Sequence, residues 1–343
     1  MQYPVAKPSD WRSLERLSLR ERIGTEWRDW RYRRRVRQLA RDAALIPSNA
    51  KGVRPLTPAD TPLIVCVKNG GFYIRPFLEH YRKIGVTRFI VLDDRSDDGT
   101  REQLRQETDV DLFGSRLDYT AAHRSLLWRD GLIDLYGRDR WYLNVDIDEF
   151  LIFPGCETRS VRDFIADLER TGRRRALAPM LDLYPDGPLS TAAIGEGLSP
   201  TDISPLIDGD GYRVFNRKFC TSIVGGPRYR LFGTEMRLTK FPVLYADSAT
   251  KHLGASIHGP FPFRRNFTSP TAALLHFKFS DHSMEEFARI VERGTHFDGS
   301  RYYRAMIEDE RFSSDADLRY DKSIRADDTN RLIEAGFLKD LRE

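Results

Sequence analysis

Short apolar runs alternate with stretches of helical spacing along residues 63–145. The runs have the length of buried strands and lie at residues 63–67, 88–92 and 141–145. Helices are predicted between them at residues 73–85, from 100 towards 107 and at 123–136, and Gly85 suits the C-cap of the first. Strands that alternate with helices form βαβ units, so the pattern predicts an α/β fold with a mostly parallel sheet flanked by helices.

The pattern changes after Phe150. A helix is predicted at residues 161–170, and strands are predicted at 176–183 and 274–279. The stretch between these strands is rich in Gly, Pro and short β-like pieces, and helical segments follow the last strand. We therefore expect one domain over residues 59–343, with a first half at 59–150 and a second half at 151–343.

Residues 10–44 form a separate basic pattern before this domain. Apolar residues, among them Trp11, Trp27 and Trp30, recur there at helical spacing with arginine between them. Such a helix either packs on the main domain through its tryptophans or lies on an anionic membrane surface, and both interpretations stay open. A linker punctuated by Pro and Gly follows, so residues 1–58 are expected to be a helical extension.

Charge and cysteine content narrow the class of protein. The formal net charge is only +4, but residues 12–41 hold eleven arginines and four acidic residues. Nucleic-acid binders usually spread basic charge over the folded domain, so no nucleic-acid partner is expected. Three distant cysteines without a CxxC pair favour thiols in a reducing compartment over a zinc site. Without a bilayer-length apolar run, the expected location is the cytoplasm or the inner face of the membrane.

Polar clusters follow each of the first three strands, where ligands of parallel sheets bind. Asp146 and Asp148 come directly after the third strand and stand two residues apart, so both carboxylates point to one side of an extended segment. Two such carboxylates can bind a divalent cation and leave coordination positions for phosphate oxygens. Because a D-x-D pattern is common by chance, a solvated turn or a capping carboxylate is the alternative.

A second acidic cluster, at residues 93–98, follows the second strand. One carboxylate, at Asp93 or Asp94, is expected to contact a ligand, whereas Asp97 and Asp98 suit the first turn of the next helix.

Basic side chains later in the chain offer further contacts. His276 and Lys278 share one face of the late strand. His276 is expected to be either a third metal ligand or a histidine whose hydrogen bonds are satisfied in the core. Lys278 is expected to be a phosphate-binding cation beside it. A histidine ligand favours Mn²⁺ over Mg²⁺. Arg228 and Arg230, in a glycine-hinged stretch with Lys240, are expected either to contact phosphate or an acidic sugar or to lie in a solvated loop.

Several blocks, taken in order, resemble the family 2-like bacterial glycosyltransferases with a GT-A fold. They are VKN (67–69), FLEHY (77–81), IGV (84–86), LDDRSDDGT (92–100), DIDEFL (146–151), LDLYPDGP (181–188), GGPR (225–228) and LHFK (275–278). The resemblance spans about residues 63–310 and leaves the basic N-terminal region outside. It departs at Gly70, where the family commonly has an acidic residue, and at Arg95, where small residues are usual.

This resemblance implies a metal-dependent glycosyltransferase of the hexosyltransferase type. Its donor would be a nucleotide sugar such as a UDP- or GDP-sugar, and its acceptor a hydroxyl of a saccharide or lipid-linked molecule, in the synthesis of surface polysaccharide or glycoconjugate. It implies a nucleotide-binding first half and an acceptor-binding second half. The implied nucleotide-binding residues are Lys68, Asn69, Asp93, Asp94 and Asp146, and the implied Mn²⁺ or Mg²⁺ ligands are Asp146, Asp148 and His276.

The family inverts the anomeric centre, which requires a carboxylate base at the acceptor hydroxyl. Four carboxylates are candidates, and Asp182 is preferred because it ends the strand expected to pass under the acceptor; the others are Asp186, Asp247 and Asp281.

Three rival classes fit the sequence less well. A dehydrogenase would carry G-x-G-x-x-G after the first strand, which is lacking here. An aspartyl-nucleophile phosphatase would carry its D-x-D early in the domain. A nucleic-acid- or membrane-binding module would rest on the arginine-rich segment alone.

Overall fold

The computed structural model describes residues 1–36, 38–39, 42–48, 53–193, 199–294 and 300–342. Its strands are β1 (Gln2–Tyr3), β2 (Leu45–Pro47), β3 (Pro62–Val67), β4 (Arg88–Asp93), β5 (Val110–Ser115), β6 (Arg140–Val145), β7 (Glu149–Ile152), β8 (Arg175–Asp182), β9 (Leu206–Asp208), β10 (Tyr212–Asn216), β11 (Thr221–Val224), β12 (Thr239–Ala246), β13 (Ala273–His276) and β14 (Ser323–Arg325). Its α-helices are α1 (Trp11–Glu15), α2 (Leu19–Val36), α3 (Gly71–Lys83), α4 (Thr100–Gln106), α5 (Leu126–Tyr136), α6 (Val161–Arg170), α7 (Pro200–Ile203), α8 (Pro227–Phe232), α9 (Ser283–Arg293), α10 (Arg301–Ile307) and α11 (Thr329–Glu334).

A nine-stranded sheet forms the centre of the molecule, in the order β2-β5-β4-β3-β6-β12-β8-β13-β7. Six of these strands run in one direction, and β2, β12 and β7 run against them. The predicted α/β fold with a mostly parallel sheet flanked by helices is therefore confirmed. Because β3, β4, β6, β8 and β13 are parallel, their carboxyl ends lie along one edge of the sheet.

The two faces of the sheet bury separate apolar clusters, as the alternation of side chains along a strand requires. Leu63 and Val65 of β3 join the cluster that packs under α3 and α6. Ile64, between them, joins the cluster that packs under α5. Both faces of the parallel strands are thus covered by helices, which explains why these strands read as continuous apolar runs.

The connections from β3 place a crevice at the centre of the carboxyl edge. β4 and β5 follow on one side of β3, whereas β6 lies on its other side. Ligands of open α/β sheets bind where the strand order reverses in this way, outside the carboxyl ends of the strands. The loops after β3 and β6 meet at that point, so the fold brings the VKN and D-x-D segments together.

The N-terminal region is not the separate extension that the sequence predicts. β1 pairs with β10, and Tyr3 is fully buried against Tyr212 and Phe337. Trp11 is buried in the main core as well. After α2, strand β2 pairs with β5 at the sheet edge. Residues on both sides of α2 are therefore integrated into the main body.

The predicted helix over residues 10–44 is divided into α1 and α2. Trp27 and Trp30 of α2 are exposed, and Tyr32 makes the packing contacts instead, against Phe261 and Phe263. Of the three tryptophans expected to pack on the main domain, only Trp11 does so. Within the described ranges, no helix combines the length and apolar character needed to cross a bilayer.

Candidate functional site

Asp146 lies directly after β6 and is held by two cationic side chains. Its carboxylate accepts hydrogen bonds from Arg129 Nη2 and Lys240 Nζ, each at 2.5 Å. Lys240 also contacts Glu149, whose carboxylate accepts the amide N–H of Asp146 at 3.0 Å. Burial opposes ionisation of Asp146, but the charges of Lys240 and Arg129 outweigh it and lower the pKa of this carboxyl to about 2. Asp146 is therefore a fixed, ionised group.

A buried polar network behind this carboxylate fixes Arg129. The guanidinium also donates to the side chain of Asn144 and to the carbonyl of Val145. Asn144 in turn contacts His252 at 3.0 Å, and His252 Nδ1 lies 2.9 Å from Asp130. A guanidinium satisfied on several sides costs less to bury, so the network holds a charged group in place under the site.

Asp148 lies two residues further on and meets the end of β13. Its Oδ2 is 3.3 Å from His276 Nε2 and 3.6 Å from Lys278 Nζ. Burial lowers the pKa of His276, but attraction to Asp148 and hydrogen bonds to Asp148 and Asp182 outweigh burial and raise it to about 9. His276 at the end of β13 and Lys278 in the segment that follows both approach Asp148, whereas the sequence predicted a strand that includes both residues.

Asp182 orients His276 from the other side. Its Oδ1 accepts a hydrogen bond from His276 Nδ1 at 2.6 Å, and Arg228 holds the carboxylate in a bidentate pair at 2.7 and 2.9 Å. The Asp182 side chain is only 1% exposed. Burial raises the pKa of Asp182, but Arg228 and His276 lower it on balance. A buried carboxylate so engaged is poorly suited to accept a proton from an acceptor, so this geometry favours a positioning role over the predicted base.

The two arginines expected to contact phosphate lie in α8, and each is held by a carboxylate from another element. Arg228 pairs with Asp182, and Arg230 forms a bidentate pair with Asp208 at 2.9 Å for both bonds. Arg228 is 2% exposed, so it does not lie in a solvated loop either. Both arginines therefore form structural ion pairs, with Asp182 and Asp208, and are not free cations.

Lys278 does keep the position that the sequence predicts for a cation near the acidic pair. Its ammonium pairs with Glu286 of α9 at 2.9 Å and lies over the rings of Phe287 and Tyr303, at 5.5 and 5.4 Å from their centroids. Burial opposes its charge, but Glu286 and Tyr303 raise its pKa well above the usual value. Lys278 is therefore a permanent positive charge beside Asp148.

Asp148 and His276 fit a divalent cation as two neighbouring ligands. Oxygen and nitrogen ligands lie about 2.1 Å from such a cation, so two of them at a right angle stand about 3 Å apart. The 3.3 Å between Asp148 Oδ2 and His276 Nε2 is close to that separation. The hydrogen bond from Nδ1 to Asp182 is the arrangement in which metal-binding histidines are usually held. Within the described ranges, no three His, Cys, Asp or Glu side chains form a ready metal cluster.

The loop after β3 carries the first predicted nucleotide-binding residues. Asn69 has a left-handed backbone, with φ of 53°, and its side-chain oxygen accepts the amide of Asp97 at 3.0 Å. Its own amide donates to Ser96 Oγ at 2.8 Å. Asn69 thus joins the loops after β3 and β4, whereas Lys68 is exposed beside the crevice.

The carboxylates of the acidic turn after β4 differ in their partners. Asp93 is buried and pairs with Arg101 at 3.0 Å. Asp98 lies just before α4, not in its first turn, and accepts the amide of Thr100 at the start of that helix. Burial raises the pKa of Asp94, against the opposing charge of Lys68. Of the two candidates for ligand contact, Asp94 is the one whose carboxylate is not held by an arginine.

Gly70, where the sequence departs from the pattern of the family it resembles, is closely packed. A Cβ at this position would lie 2.5 Å from Val67 Cγ2 and 3.4 Å from Ile147, inside the D-x-D segment. The Gly70 amide donates to Thr100 Oγ1 at 2.9 Å. A side chain at this position would therefore clash with Val67 of the same segment. The second departure, Arg95, has φ of 57° and donates to the carbonyl of Arg116.

Sequence reasoning missed Arg129, Lys240 and Glu149 as partners of Asp146. Arg129 and Asp130 interrupt an otherwise apolar helical segment, which is a signal of a buried polar contact. Lys240 similarly lies near the start of β12, a largely apolar strand. Lys240 reaches the same carboxylate as Arg129 because β12 runs antiparallel beside β6. Local sequence patterns do not specify that pairing.

No family model and no curated protein matches the chain. Among solved structures, it overlaps a 4-diphosphocytidyl-2C-methyl-D-erythritol synthase at 10% identity and a TM-score of 0.28, over 55% of this chain and 75% of that one. It overlaps the apo structure of the bifunctional glycosyltransferase WbbM at 13% identity and a TM-score of 0.23, over 38% and 24% of the two chains. The mannosyltransferase Ktr4p from S. cerevisiae gives 14% identity and a TM-score of 0.23, over 50% and 52%. Overlaps of this size leave the activity to be argued from the site.

Proposed function

We propose that this protein is a glycosyltransferase with a GT-A fold, which binds a nucleotide-sugar donor with Mn²⁺ or Mg²⁺ at Asp148 and His276. The observation that carries the proposal is the convergence of these two side chains at the carboxyl edge of the sheet, with the second nitrogen of His276 held by Asp182. The crevice beside them lies at the point of strand-order reversal, where nucleotides bind in sheets of this kind.

The charges around the site are matched before any ligand binds. The five carboxylates of the cluster are those of Asp146, Asp148, Glu149, Asp182 and Glu286. They face four permanent cations and the imidazolium of His276, the four being Arg129, Lys240, Arg228 and Lys278. Exchange of the imidazolium proton for a divalent cation would leave the cluster one charge more positive. Such a site attracts the negative charge of a diphosphate.

The chain's own residues would orient the donor on this charge. A bound cation would supply Lewis-acid stabilisation of the negative charge on the leaving diphosphate. Asp146, fixed by Arg129 and Lys240, would accept hydrogen bonds from the nucleotide, and Lys278 would attract a phosphate oxygen beside Asp148. Lys68 and Asp94 would contact the nucleoside at the other side of the crevice.

The finer features follow the family resemblance. We propose a UDP- or GDP-sugar donor, a saccharide or lipid-linked acceptor and inversion at the anomeric carbon. With Asp182 engaged by Arg228 and His276, the base would come from another carboxylate near the carboxyl edge. Asp281 is one such candidate, because its buried Oδ1 has no hydrogen-bond partner.

Thermal unfolding with nucleotides tests the proposal directly. UDP, GDP and their sugar conjugates are added with and without Mn²⁺, because a ligand of the native state stabilises it by about 2.7 kcal/mol at a hundred times Kd. We expect a cation-dependent rise in Tm for the unmodified chain. Asp148→Asn should abolish the rise, whereas Asp186→Asn, at an exposed carboxylate paired with Arg319, should retain it. An equal rise for Asp148→Asn would refute the metal site.

A further inference from the structure

Helix α2 packs on the body of the protein through one narrow face. Thr25, Asp29 and Tyr32 are buried, at spacings of four and three residues that place them on one side of the helix. Asp29 accepts the amide of Phe263 at 3.1 Å, and the ring of Tyr32 stacks on Phe261 at 4.2 Å between centroids. The orientation of α2 is therefore fixed, and its other faces project outward.

The opposite face of α2 is an exposed apolar stripe formed by Leu19, Ile23, Trp27 and Trp30. Steps of four, four and three residues align these side chains, and the advance of 100° per residue puts them across the helix from Tyr32. Their exposed fractions lie between 52% and 74%. Ten large apolar residues are strongly exposed in the described part of the chain, and four of them form this stripe. Such clustering marks an interaction surface rather than scattered surface apolarity.

Arginines surround the stripe. Helix α2 contains seven arginines against three acidic residues, of which Asp29 faces the body of the protein. The guanidinium of Arg31 lies 4.7 Å from the ring centroid of Trp27, and that of Arg34 lies 4.8 Å from the ring centroid of Trp30. The outward surface thus combines tryptophans, aliphatic side chains and an excess of positive charge.

We infer that α2 docks this protein on a membrane surface rich in anionic lipids. Tryptophan, leucine and isoleucine insert into the boundary between headgroups and acyl chains, while arginines at the edges of the stripe pair with lipid phosphates. A second copy of the same surface would bring arginine-rich helices together, and a nucleic-acid backbone would leave the apolar stripe without a partner. An anionic bilayer matches both parts of the surface. Docking is independent of the proposed transfer chemistry.

Vesicle flotation of the full chain tests this inference. Vesicles of phosphatidylglycerol with phosphatidylcholine are compared with vesicles of phosphatidylcholine alone, at low and high salt. We expect the protein to float with the anionic vesicles at low salt and to be released as salt screens the arginines. Tryptophan emission should shift to shorter wavelength on binding, because Trp27 and Trp30 exchange water for lipid. A protein that stays in the soluble fraction with anionic vesicles refutes the inference.

Paired substitutions identify the surface responsible. Trp27→Ser with Trp30→Ser should weaken binding to anionic vesicles by about tenfold or more, because much of the apolar contact is lost. The control, Leu135→Ser with Phe219→Ser, removes two exposed apolar side chains outside α2 and should bind like the unmodified chain. Melting temperatures verify that all variants fold. Equal binding by both pairs, or conversion of a dimer to a monomer by the tryptophan pair, would overturn lipid docking by α2.

Discussion

The Asp182 carboxylate joins two side chains of different roles, the buried guanidinium of Arg228 and the imidazole of His276. It cannot be removed without leaving Arg228 an unpaired buried charge. It also fixes which nitrogen of His276 faces Asp148, because Nδ1 is committed to Asp182. Asp182 is thus a positioning residue for the proposed cation site, and stability and ligand affinity should both depend on it.

Asp182→Asn should lower the free energy of unfolding by about 3 kcal/mol, because the buried ion pair loses one charge. It should also weaken Mn²⁺ binding by about 10- to 100-fold, the usual effect of removing the partner of a histidine ligand. Asp208→Asn is the matched control, since it breaks the similar pair with Arg230 away from His276. Isothermal titration and denaturant unfolding measure both effects. Equal Mn²⁺ affinity in the two variants would contradict the positioning role.

His80 gives the stability of the protein a dependence on acidity. Burial lowers its pKa to about 4, although its ring donates a hydrogen bond to the carbonyl of Leu151 at 2.9 Å. Between pH 6.5 and 4 the unfolded chain binds a proton here that the folded chain does not, so folding is favoured above this window and weakens as pH falls through it.

His80→Gln keeps a donor for the Leu151 carbonyl and removes the titrating group. The loss of unfolding free energy between pH 6.5 and 4 should therefore be smaller than in the unmodified chain by about 2 kcal/mol. Urea unfolding across this pH range measures the difference. His282→Gln, the same substitution at an exposed histidine, is the control. An identical pH profile for His80→Gln would show that other groups cause the acid destabilisation.

At the scale of elements, the turn between β3 and α3 sets the distance between two loops of the site. Gly70 leaves room for Val67 on one side and Ile147 on the other. The branched side chain of Val67 has little rotamer freedom to move away from an added methyl group. The backbone of the turn must shift instead.

Gly70→Ala should therefore destabilise the protein by about 1–3 kcal/mol, as overpacking of a core commonly does. Gly24→Ala is the control. A Cβ at Gly24 would meet only the flexible end of the Arg28 side chain, and alanine favours the helix. That variant should be as stable as the unmodified chain or slightly more stable. Thermal unfolding measures both changes, and a neutral Gly70→Ala would disprove tight packing at this turn.

Between residues 62 and 182 local periodicity predicted four strands and four helices, whereas β5 and β7 were not predicted; the predicted elements are β3, β4, β6, β8 and α3 to α6. The expected helix at residues 161–170 has the observed bounds of α6, and the strand at 63–67 differs from β3 by one residue. Between β8 and β13 the sequence did not predict individual elements, since the short strands there are defined by distant partners. β12, which lies between β6 and β8, is the main example.

Some residues of the candidate site could be predicted from local sequence patterns, whereas the partners of others depend on contacts between distant segments. Asp146 and Asp148 were predicted from their position after a strand and His276 from its place within the late strand, and the parallel sheet brings all three to one edge. The engagement of Arg228 by Asp182 joins α8 to β8 across 46 residues, so sequence spacing could not distinguish it from a phosphate contact. The sequence shows that Arg228 is a cation, but only the fold shows that Asp182 is the carboxylate that pairs with it.

At the scale of the whole molecule, the N-terminal residues pack against the C-terminal segment and β10. Tyr3 packs edge-to-face on Tyr212 and Phe337, and its hydroxyl donates to the Phe337 carbonyl at 2.7 Å. The amide of Val5 donates to the carbonyl of Gly336, where a Cβ would lie 2.0 Å from the Val5 carbonyl oxygen. The first residues thus fill a space that the C-terminal segment leaves for them.

Tyr3→Ala should accordingly lower the free energy of unfolding by about 4 kcal/mol, the typical cost of removing a buried aromatic ring. Tyr3→Phe, which loses only the hydroxyl hydrogen bond, should cost about 1 kcal/mol. Trp27→Ala, at an exposed ring of the same N-terminal region, should change stability by less than about 0.5 kcal/mol. Denaturant unfolding orders the three variants. If Tyr3→Ala were as stable as Trp27→Ala, the N-terminal residues would be a dispensable extension, and the arginine-rich helix would be tethered to the protein rather than anchored on both sides.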